Sequence, residues 1–339
     1  MMRSKAFSNN SGSNRSPGRK WFNAALIIGL ALCFGCDKAE KPTPILPVSD
    51  VQKKFEKKAR EDYDLHVITK MVGQTFWVYL PTQDPIFDYE AQKESIGGGE
   101  PAKKPSPFMV QFAEGIFKDN RFALEYDIIK RTKVKMEDYG YNSSYTDSYI
   151  KMQNNLFTCI SDIFFNNEVA DTPPQFFVMV VTDIKKGIET RATFYLEDFK
   201  RYMSGDLPYE EYMKRFIADT KGGQNFIGDE TGSHIKYEAV AMTDFLSKQM
   251  VNRIRFKFER SDFNPPEDFD DTIVGIVADT TRYYKFDKFR QVQLSNLRQN
   301  KNFIFDRTQL ITFGDDVAPK EPPGRLIHIR FDNGKVNMQ

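Results

Sequence analysis

The segment FFVMVVTDIKKGIETRATFYL, residues 176–196, decides the fold of this chain. Its first nine residues are nearly all apolar, without alternating polar side chains, and Lys185-Lys186-Gly187 separates them from a second β-rich run. A Gly-containing turn between two such runs is typical of a hairpin. A strand that lacks polar alternation is usually buried on both faces. The segment therefore predicts an antiparallel hairpin whose first strand is central in a sheet.

Two further hairpins are predicted on the N-terminal side of this segment. The first covers residues 65–80, with a turn at Gly73, and ends before Pro81. The second joins residues 108–117 to residues 122–129. More strands are predicted at residues 254–258, 289–297, 302–305 and 325–331. Hairpins of this kind favour mainly antiparallel pairing.

Helices are predicted wherever apolar residues recur at spacings of three and four. The clearest example runs from Tyr149 through Leu156 and Cys159 to Phe164. Other helices are predicted after Ser49-Asp50, near residues 197–203 and 208–219, from Ser233 to Met250, and from Asp268 to about Tyr284. Together with the hairpins they predict an α+β fold. A helix followed by a hairpin recurs near residues 50, 145 and 268, so a duplicated α+β unit is an open interpretation.

The first 36 residues have the composition of a bacterial export signal. Five basic residues and no acid occupy residues 1–20, and the apolar run 21–35 ends on Gly35-Cys36. A basic segment, a short apolar segment and a small residue before the cut are the parts of a secretory signal. The apolar run of about 15 residues is shorter than the roughly 20 that a membrane-spanning helix needs.

Gly35-Cys36 resembles the lipobox of bacterial lipoproteins, and the resemblance is limited to the signal. Leu32 lies one place earlier than that family's usual leucine. The resemblance implies that the chain is cut before Cys36 and that acyl chains on Cys36 anchor it in the membrane. Asp37 resembles an inner-membrane retention signal of some double-membrane bacteria, and the leaflet stays open. An ordinary signal peptide and an uncleaved anchor helix are the alternatives.

The chain is therefore expected to have three regions. Residues 1–35 form the signal peptide, residues 36–48 the lipidated cysteine and a Pro-containing tether, and residues 49–339 an α+β globular region. The globular region has the length of one large or two ordinary domains. Two subdomains, about 49–220 and 221–339, are an option.

Charge argues against a nucleic-acid partner. Without the five basic residues of the signal, 43 of the 48 basic residues remain against 47 acidic ones. The mature protein is thus slightly acidic, whereas nucleic-acid-binding proteins carry basic patches. No later apolar stretch approaches 18 residues, so no further membrane span is predicted.

No catalytic motif is present. His66, His234 and His328 do not have metal-ligand spacing, and the sequence predicts no metal site and no cofactor. The acidic run Glu267–Asp271 is explained by the dipole at a helix N-terminus. Cys159 lies on the apolar side of its helix and is expected to be a buried structural thiol. Four tyrosines form a candidate stacking surface for sugars or a partner, with core and loop roles as the alternative: Tyr139, Tyr141, Tyr145 and Tyr149.

These observations predict a lipid-anchored protein of the bacterial cell envelope with a binding or scaffolding role. Its expected contacts are the membrane, through acyl chains on Cys36, and an envelope protein or glycan. The alternative is an envelope hydrolase whose acid-based site is not marked by any motif. No catalytic residue is assigned by the sequence.

Overall fold

A computed structural model describes residues 47–88, 106–131, 144–165, 173–260, 262–263, 269–313, 329–332 and 335–338. Several predicted features lie outside the described residues: the signal, Cys36, Asp37, nearly all of the tether, Tyr139, Tyr141, His328 and residues 267–268 of the acidic run.

Helices and strands alternate irregularly along the chain, which confirms the predicted α+β fold. The α-helices of the described part are α1 Val48–Tyr63, α2 Asp147–Phe164, α3 Leu196–Met203, α4 Tyr209–Arg215, α5 Met242–Phe258, α6 Asp270–Tyr283 and α7 Arg307–Ile311. The strands are β1 Ile68–Val72, β2 Thr75–Thr82, β3 Phe87–Asp88, β4 Phe108–Lys118, β5 Arg121–Lys130, β6 Ser144–Tyr145, β7 Phe176–Asp183, β8 Ile188–Tyr195, β9 Ile217–Gly222, β10 Gln291–Asn296, β11 Lys301–Asp306, β12 Ile329–Asp332 and β13 Lys335–Met338.

The first sheet has five strands in the order β1-β2-β7-β8-β9. All eight residues of β7 are buried, because β7 lies between β2 and β8 and both faces of the sheet are covered there. β7 and β8 pair antiparallel across the turn that contains Gly187. The predicted central hairpin is therefore confirmed.

The second sheet has four strands in the order β11-β10-β5-β4. Both sheets contain two antiparallel hairpins joined by a parallel pair, β2 with β7 in the first sheet and β5 with β10 in the second. The first sheet has β9 as a fifth strand, antiparallel to β8. Parallel strands need a long crossover connection. Here the β2-to-β7 connection contains the β4–β5 hairpin, so the chain alternates between the two sheets.

Each sheet has its own hydrophobic core. The first core packs α1, α2 and α3 on one face of the five-stranded sheet and is rich in phenylalanine rings, including Phe55, Phe76, Phe177 and Phe194. The second core packs α5 and α6 on the four-stranded sheet. The hairpin of residues 108–130 belongs to this second core. The predicted division into subdomains near residue 220 stays a prediction.

A strap of residues 223–241 covers the other face of the first sheet. Ile235, Tyr237 and Val240 pack on Trp77 and Tyr79 of β2. The Trp77 indole donates to the Glu238 carbonyl at 2.9 Å, and the Tyr79 hydroxyl donates to the Asp229 carbonyl. The strap is therefore held by side chains of the sheet that it covers.

Three predicted elements are wrong. Residues 233–241 are not helical, because they run along the sheet as part of the strap. Residues 254–258 belong to α5 and not to a strand, since Met250, Ile254 and Phe258 recur every four residues and bury one helix face. The helix predicted at 208–219 ends at Arg215. Residues 217–219 instead form the first half of β9, whose side chains are mostly exposed.

Within the described residues, no helix has the length and apolar character that crossing a membrane requires.

Candidate functional site

A cavity of about 620 Å³ opens on the helical face of the first sheet. It lies between α2, the α3–α4 pair and the β8–β9 end of the sheet. Thr190, Ala192 and Ala218 of the two strands line it from the sheet side. Its volume is within the range of ordinary small-molecule and side-chain pockets. We name it the aromatic cavity.

Aromatic rings form most of its walls. Eight aromatic residues line the cavity: Tyr145, Tyr149, Phe157, Phe199, Tyr202, Tyr209, Tyr212 and Phe216. Tyr202 and Tyr212 are stacked with ring centroids 4.6 Å apart, and Tyr145 stacks on Tyr149 at 4.8 Å. Aromatic side chains supply large contact areas at low conformational cost. The walls are therefore mainly apolar, and the stacked rings hold one another in place.

The polar groups of the cavity are mostly neutral. The Tyr149 hydroxyl bonds to the Thr190 hydroxyl at 3.0 Å, and the Gln153 amide donates to the Tyr149 hydroxyl at 3.2 Å. Burial raises the pKa of Tyr149 to about 12. Arg191 and Asp219 are the charged residues among the described residues that line the cavity. The site thus presents rings and uncharged hydrogen-bonding groups to a ligand.

The local sequence explains why the cavity forms. In α2, one stripe at helical spacing, Tyr149, Gln153 and Phe157, lines the cavity. Tyr149 also belongs to the first core, and Phe157 packs against it. α3 ends at Met203 and α4 begins after Pro208, which suits a helix start. This break gives two short helices. Their tyrosines and phenylalanines form the opposite wall of the cavity.

Exposed apolar side chains gather at the rim. Of the eleven large apolar side chains that are exposed among the described residues, four line the aromatic cavity: Tyr145, Ile150, Met203 and Tyr209. Tyr209 is 61% exposed and also lines a second groove with exposed Phe256 and Tyr283. Isolated surface apolar residues are normal, whereas a cluster of them marks an interaction site.

The second groove lies on the other side of α4 and has a volume of about 750 Å³. It is lined by charges of both signs: Glu210, Glu211, Lys214, Arg253, Lys257, Arg260 and Asp279. Behind it, Glu211 accepts from Arg215 at 3.0 Å and from Arg253 at 2.7 Å. Burial alone raises the pKa of Glu211, but these two guanidinium groups outweigh burial and lower it. These bonds fix α4 against α5.

A buried acid–histidine cluster lies at the strap. His234 Nδ1 is 2.6 Å from Asp229 Oδ2, and His234 Nε2 is 2.6 Å from Glu189 Oε2. The three side chains are between 2% and 7% exposed. Each ring nitrogen faces a carboxylate, so neither is available to take a proton from a substrate. The cluster is therefore suited to holding the strap and not to catalysis.

The bonding of Asp229 shows the same role. Burial alone raises the pKa of this carboxyl group. Hydrogen bonds from the backbone and ring of His234, and from Ser233 and Thr231, outweigh burial and hold the pKa well below its usual range. The carboxylate is thus strongly held in its charged form.

The other predicted site residues have structural positions. Cys159 is fully buried, and burial raises the pKa of its thiol to about 11, which fits an inert core thiol. His66 is exposed just before β1. Asp270 is buried at the start of α6 and accepts from Tyr126 at 2.7 Å and from Asn296 at 2.9 Å. Among the described residues, no group of three or more His, Cys, Asp and Glu side chains is arranged to hold a metal ion.

The sequence contained part of the cavity's signal. Tyr145 and Tyr149 were predicted as a candidate stacking surface, and the structure places both in the cavity wall. The opposite wall was missed. Its signal is the spacing of aromatic residues on either side of Pro208, namely Phe199, Tyr202, Tyr209, Tyr212 and Phe216.

A scan of protein-family models, a search of curated proteins and a search of solved structures each return no match to this chain.

Proposed function

We propose that this chain is a lipid-anchored binding protein of the bacterial cell envelope and that the aromatic cavity is its binding site. The observation that carries the proposal is a concave, mainly apolar cavity whose rim collects exposed aromatic and aliphatic side chains. Pockets of this kind, with a few polar groups that fix orientation, are the usual form of a binding site. Since the lining is mainly apolar, we expect the part of the ligand that enters the cavity to be mainly apolar.

Binding explains the described residues better than hydrolysis does. A hydrolytic site needs a base or acid within reach of a substrate. The cluster of Glu189, Asp229 and His234 has this composition, but its side chains are closed off and satisfy one another. None of the three lines the aromatic cavity. Among the described residues, this acid–histidine cluster is therefore not placed to support the hydrolase alternative at the cavity.

The anchor gives the binding site its location. Acyl chains on Cys36 hold the chain to the membrane, and two or more chains make attachment effectively permanent. The tether of residues 37–48 contains Pro42, Pro44 and Pro47. We expect residues 37–47, which precede α1, to span up to roughly 34 Å if they are extended at about 3.1 Å per residue. The cavity is thereby presented to components of the envelope at a distance from the lipid headgroups.

A cavity-filling substitution tests this proposal. Ala218→Trp places an indole on the cavity face of β9, since Ala218 pairs with the cavity residue Ala192. Lys221→Trp is the matched control, because Lys221 is exposed on the opposite face of the same strand and does not line the cavity. Melting curves establish that both variants fold.

Three probes are tested against the full chain in detergent: a pooled random dodecapeptide library, the N-acetylglucosamine tetramer and a fluorescent fatty acid. We expect at least one probe to bind the wild type and Lys221→Trp but not Ala218→Trp. The proposal is contradicted if no probe binds the wild type, or if binding is the same in Ala218→Trp.

A further inference from the structure

We infer that the ligand of the aromatic cavity is an extended peptide segment that adds a strand to the open edge of β9. The inference rests on the proposed function of the cavity and specifies its ligand. Peptides that add to an exposed sheet edge gain affinity from main-chain hydrogen bonds and specificity from pockets that take alternate side chains. β9 and the aromatic cavity together supply both parts.

β9 is the last strand of the five-stranded sheet. Just beyond it, the Gly223 amide donates to the Gly187 carbonyl at 2.9 Å, which identifies a hydrogen-bonded pair of the β8–β9 ladder. In an antiparallel ladder, hydrogen-bonded and non-hydrogen-bonded pairs alternate. The next hydrogen-bonded pairs of this ladder are therefore Glu189 with Lys221 and Arg191 with Asp219. The backbone groups of Lys221 and Asp219 thus point toward β8.

The residues between them have backbone groups that point the other way. The N–H and C=O groups of Ala218, Thr220 and Gly222 are directed to the open edge. In the described part of the chain, no backbone or side-chain group hydrogen-bonds to this edge. A row of unpaired donors and acceptors is a template for another strand.

The side chains of Ala218 and Thr220 lie on the sheet face that carries the aromatic cavity, and Ala218 lines the cavity itself. Ala218 pairs with Ala192, and Thr220 pairs with Thr190, and both partners on β8 line the cavity. Residues directly opposite each other on paired strands project their side chains to the same face of a sheet. A strand bonded to Ala218 and Thr220 would therefore direct alternate side chains to the face that carries the cavity. The small side chains of β9 leave room for them.

The residues that line the aromatic cavity determine which side chain of the peptide fits it. Rings and neutral groups make up most of the cavity lining, with Arg191 and Asp219 as the charged residues among those described. An aromatic or aliphatic side chain therefore fits the cavity, whereas a buried unpaired charge would be costly. Asp219 and Lys221, which alternate with Ala218 and Thr220 along β9, pair at 3.2 Å and are exposed, and Asp219 also lines the cavity. Charges on an edge strand disfavour pairing with a strand that is apolar on the same face. The preferred partner is thus a single strand that alternates apolar and polar residues.

Two observations favour a peptide over a saccharide. Sugar recognition by aromatic residues uses free ring faces. In the cavity, Tyr145 stacks on Tyr149 and also on Phe87, with ring centroids 5.0 Å apart in the latter pair, and Tyr202 stacks on Tyr212. Much of this ring surface is already covered by other rings. A saccharide would also leave the backbone groups of the β9 edge unpaired.

The test removes one outward N–H group. Thr220→Pro deletes a donor that the β8–β9 ladder does not use, and proline is tolerated at such positions of edge strands. Thr220→Val keeps the amide and the branched side chain and is the matched control. The probe is a synthetic peptide whose sequence is enriched from a phage-displayed random dodecapeptide library on the full wild-type chain in detergent.

We expect enriched sequences to alternate aromatic or aliphatic residues with polar ones. The peptide should bind Thr220→Val as it binds the wild type and bind Thr220→Pro about ten-fold more weakly, or about 1.4 kcal/mol. Hydrogen exchange on the wild type gives a measurement that does not depend on how the variant folds. The amides of Ala218, Thr220 and Gly222 should exchange fast in the free protein and become protected when the peptide is added.

Strand addition is overturned if no peptide is enriched, if Thr220→Pro binds the peptide as tightly as the wild type, or if the three amides gain no protection. It is also overturned if the N-acetylglucosamine tetramer binds in place of peptides, with equal affinity for the wild type and Thr220→Pro. Loss of that saccharide's binding in Ala218→Trp would still support the cavity as the binding site. The two proposals therefore fail separately.

Discussion

At the scale of single residues, His234 shows how composition and role can differ. An imidazole between two carboxylates resembles the components of a hydrolytic site. The His234 ring is buried, however, and its two 2.6 Å contacts hold the strap on the sheet. It links Glu189 of β8 to Asp229 of the strap. The sequence predicts His234 at the start of a helix. It does not reveal the contact with Glu189, because the two residues are 45 positions apart in the chain.

Replacing this histidine should destabilise the fold strongly. His234→Ala leaves two buried carboxylates without their shared partner, and breaking a buried ion pair in this way costs about 3–5 kcal/mol. The free energy of unfolding, measured in urea, should fall by about this amount. His66→Ala is the control, since the His66 side chain is 72% exposed, and its effect should be close to zero. Equal effects of the two substitutions would show that the cluster does not hold the strap.

The lowered pKa of Asp229 predicts a dependence of stability on pH. A carboxyl group whose pKa is lower in the folded state stabilises the protein above its ordinary pKa of about 3.9, and this stabilisation is lost as pH falls through the folded-state value. The difference in unfolding free energy between the wild type and Asp229→Asn should be constant above about pH 5 and should shrink below about pH 4. A difference that stays constant down to pH 2 would contradict the assigned bonding.

At the scale of elements, strands and helices with strong apolar patterns were predictable from the sequence. β7, α1 and α2 were predicted with nearly their observed bounds, because burial in a core leaves a regular pattern. β9 and the strap were missed. β9 exposes nearly all its side chains. The path of the strap depends on contacts with β2 and β7, which are distant in the sequence.

The sequence of residues 254–258 predicts a strand, whereas the structure has a helix there. Arg253, Arg255 and Lys257 alternate with apolar residues, which favoured a strand. In α5, however, Arg253 is itself buried and donates to Glu211 at 2.7 Å, so a basic residue lies on the packed face. A period of two and a period of 3.6 cannot be distinguished over five residues when a charge is buried in an ion pair.

The central position of β7 is open to a direct test. Val180 lies in β7, and its fully buried side chain is on the face that the strap covers. Val180→Asp would therefore bury a carboxylate without a partner. The substitution should cost several kcal/mol of a typical total of about 5–15 kcal/mol. Thermal unfolding followed by circular dichroism measures this loss. Lys221→Asp on the exposed edge strand is the control and should melt like the wild type, whereas an unchanged Val180→Asp curve would contradict the sheet order.

At the scale of the whole molecule, the two sheets share one plan of paired hairpins and a central parallel pair. The recurrence of a helix and a hairpin was visible in the sequence near residues 50, 145 and 268, but the pairing was not. Parallel pairing of β2 with β7 joins segments about 100 residues apart, and no local pattern specifies it. The aromatic cavity was likewise only half predictable, because its two walls come from separate parts of the chain.

Gly35-Cys36 predicts a lipid anchor, which would attach the whole molecule to the membrane. Cys36→Ser should prevent labelling by a radioactive or alkyne fatty acid and should block removal of the signal, since the acyl chains are expected on that thiol. Cys33→Ser is the matched control and should be labelled and processed like the wild type. Normal processing and labelling of Cys36→Ser would contradict the lipoprotein assignment.

The most direct measurement of the central claim is photo-crosslinking in the intact envelope. Benzoylphenylalanine is placed at Asn154, which is exposed on the rim of the aromatic cavity, and at Lys151, which is exposed on the same helix but does not line the cavity. We predict a discrete adduct from position 154, none from position 151, and loss of the first adduct when Ala218→Trp fills the cavity. Identical products from both positions, or an adduct that survives Ala218→Trp, would contradict the claim that the cavity is the binding site.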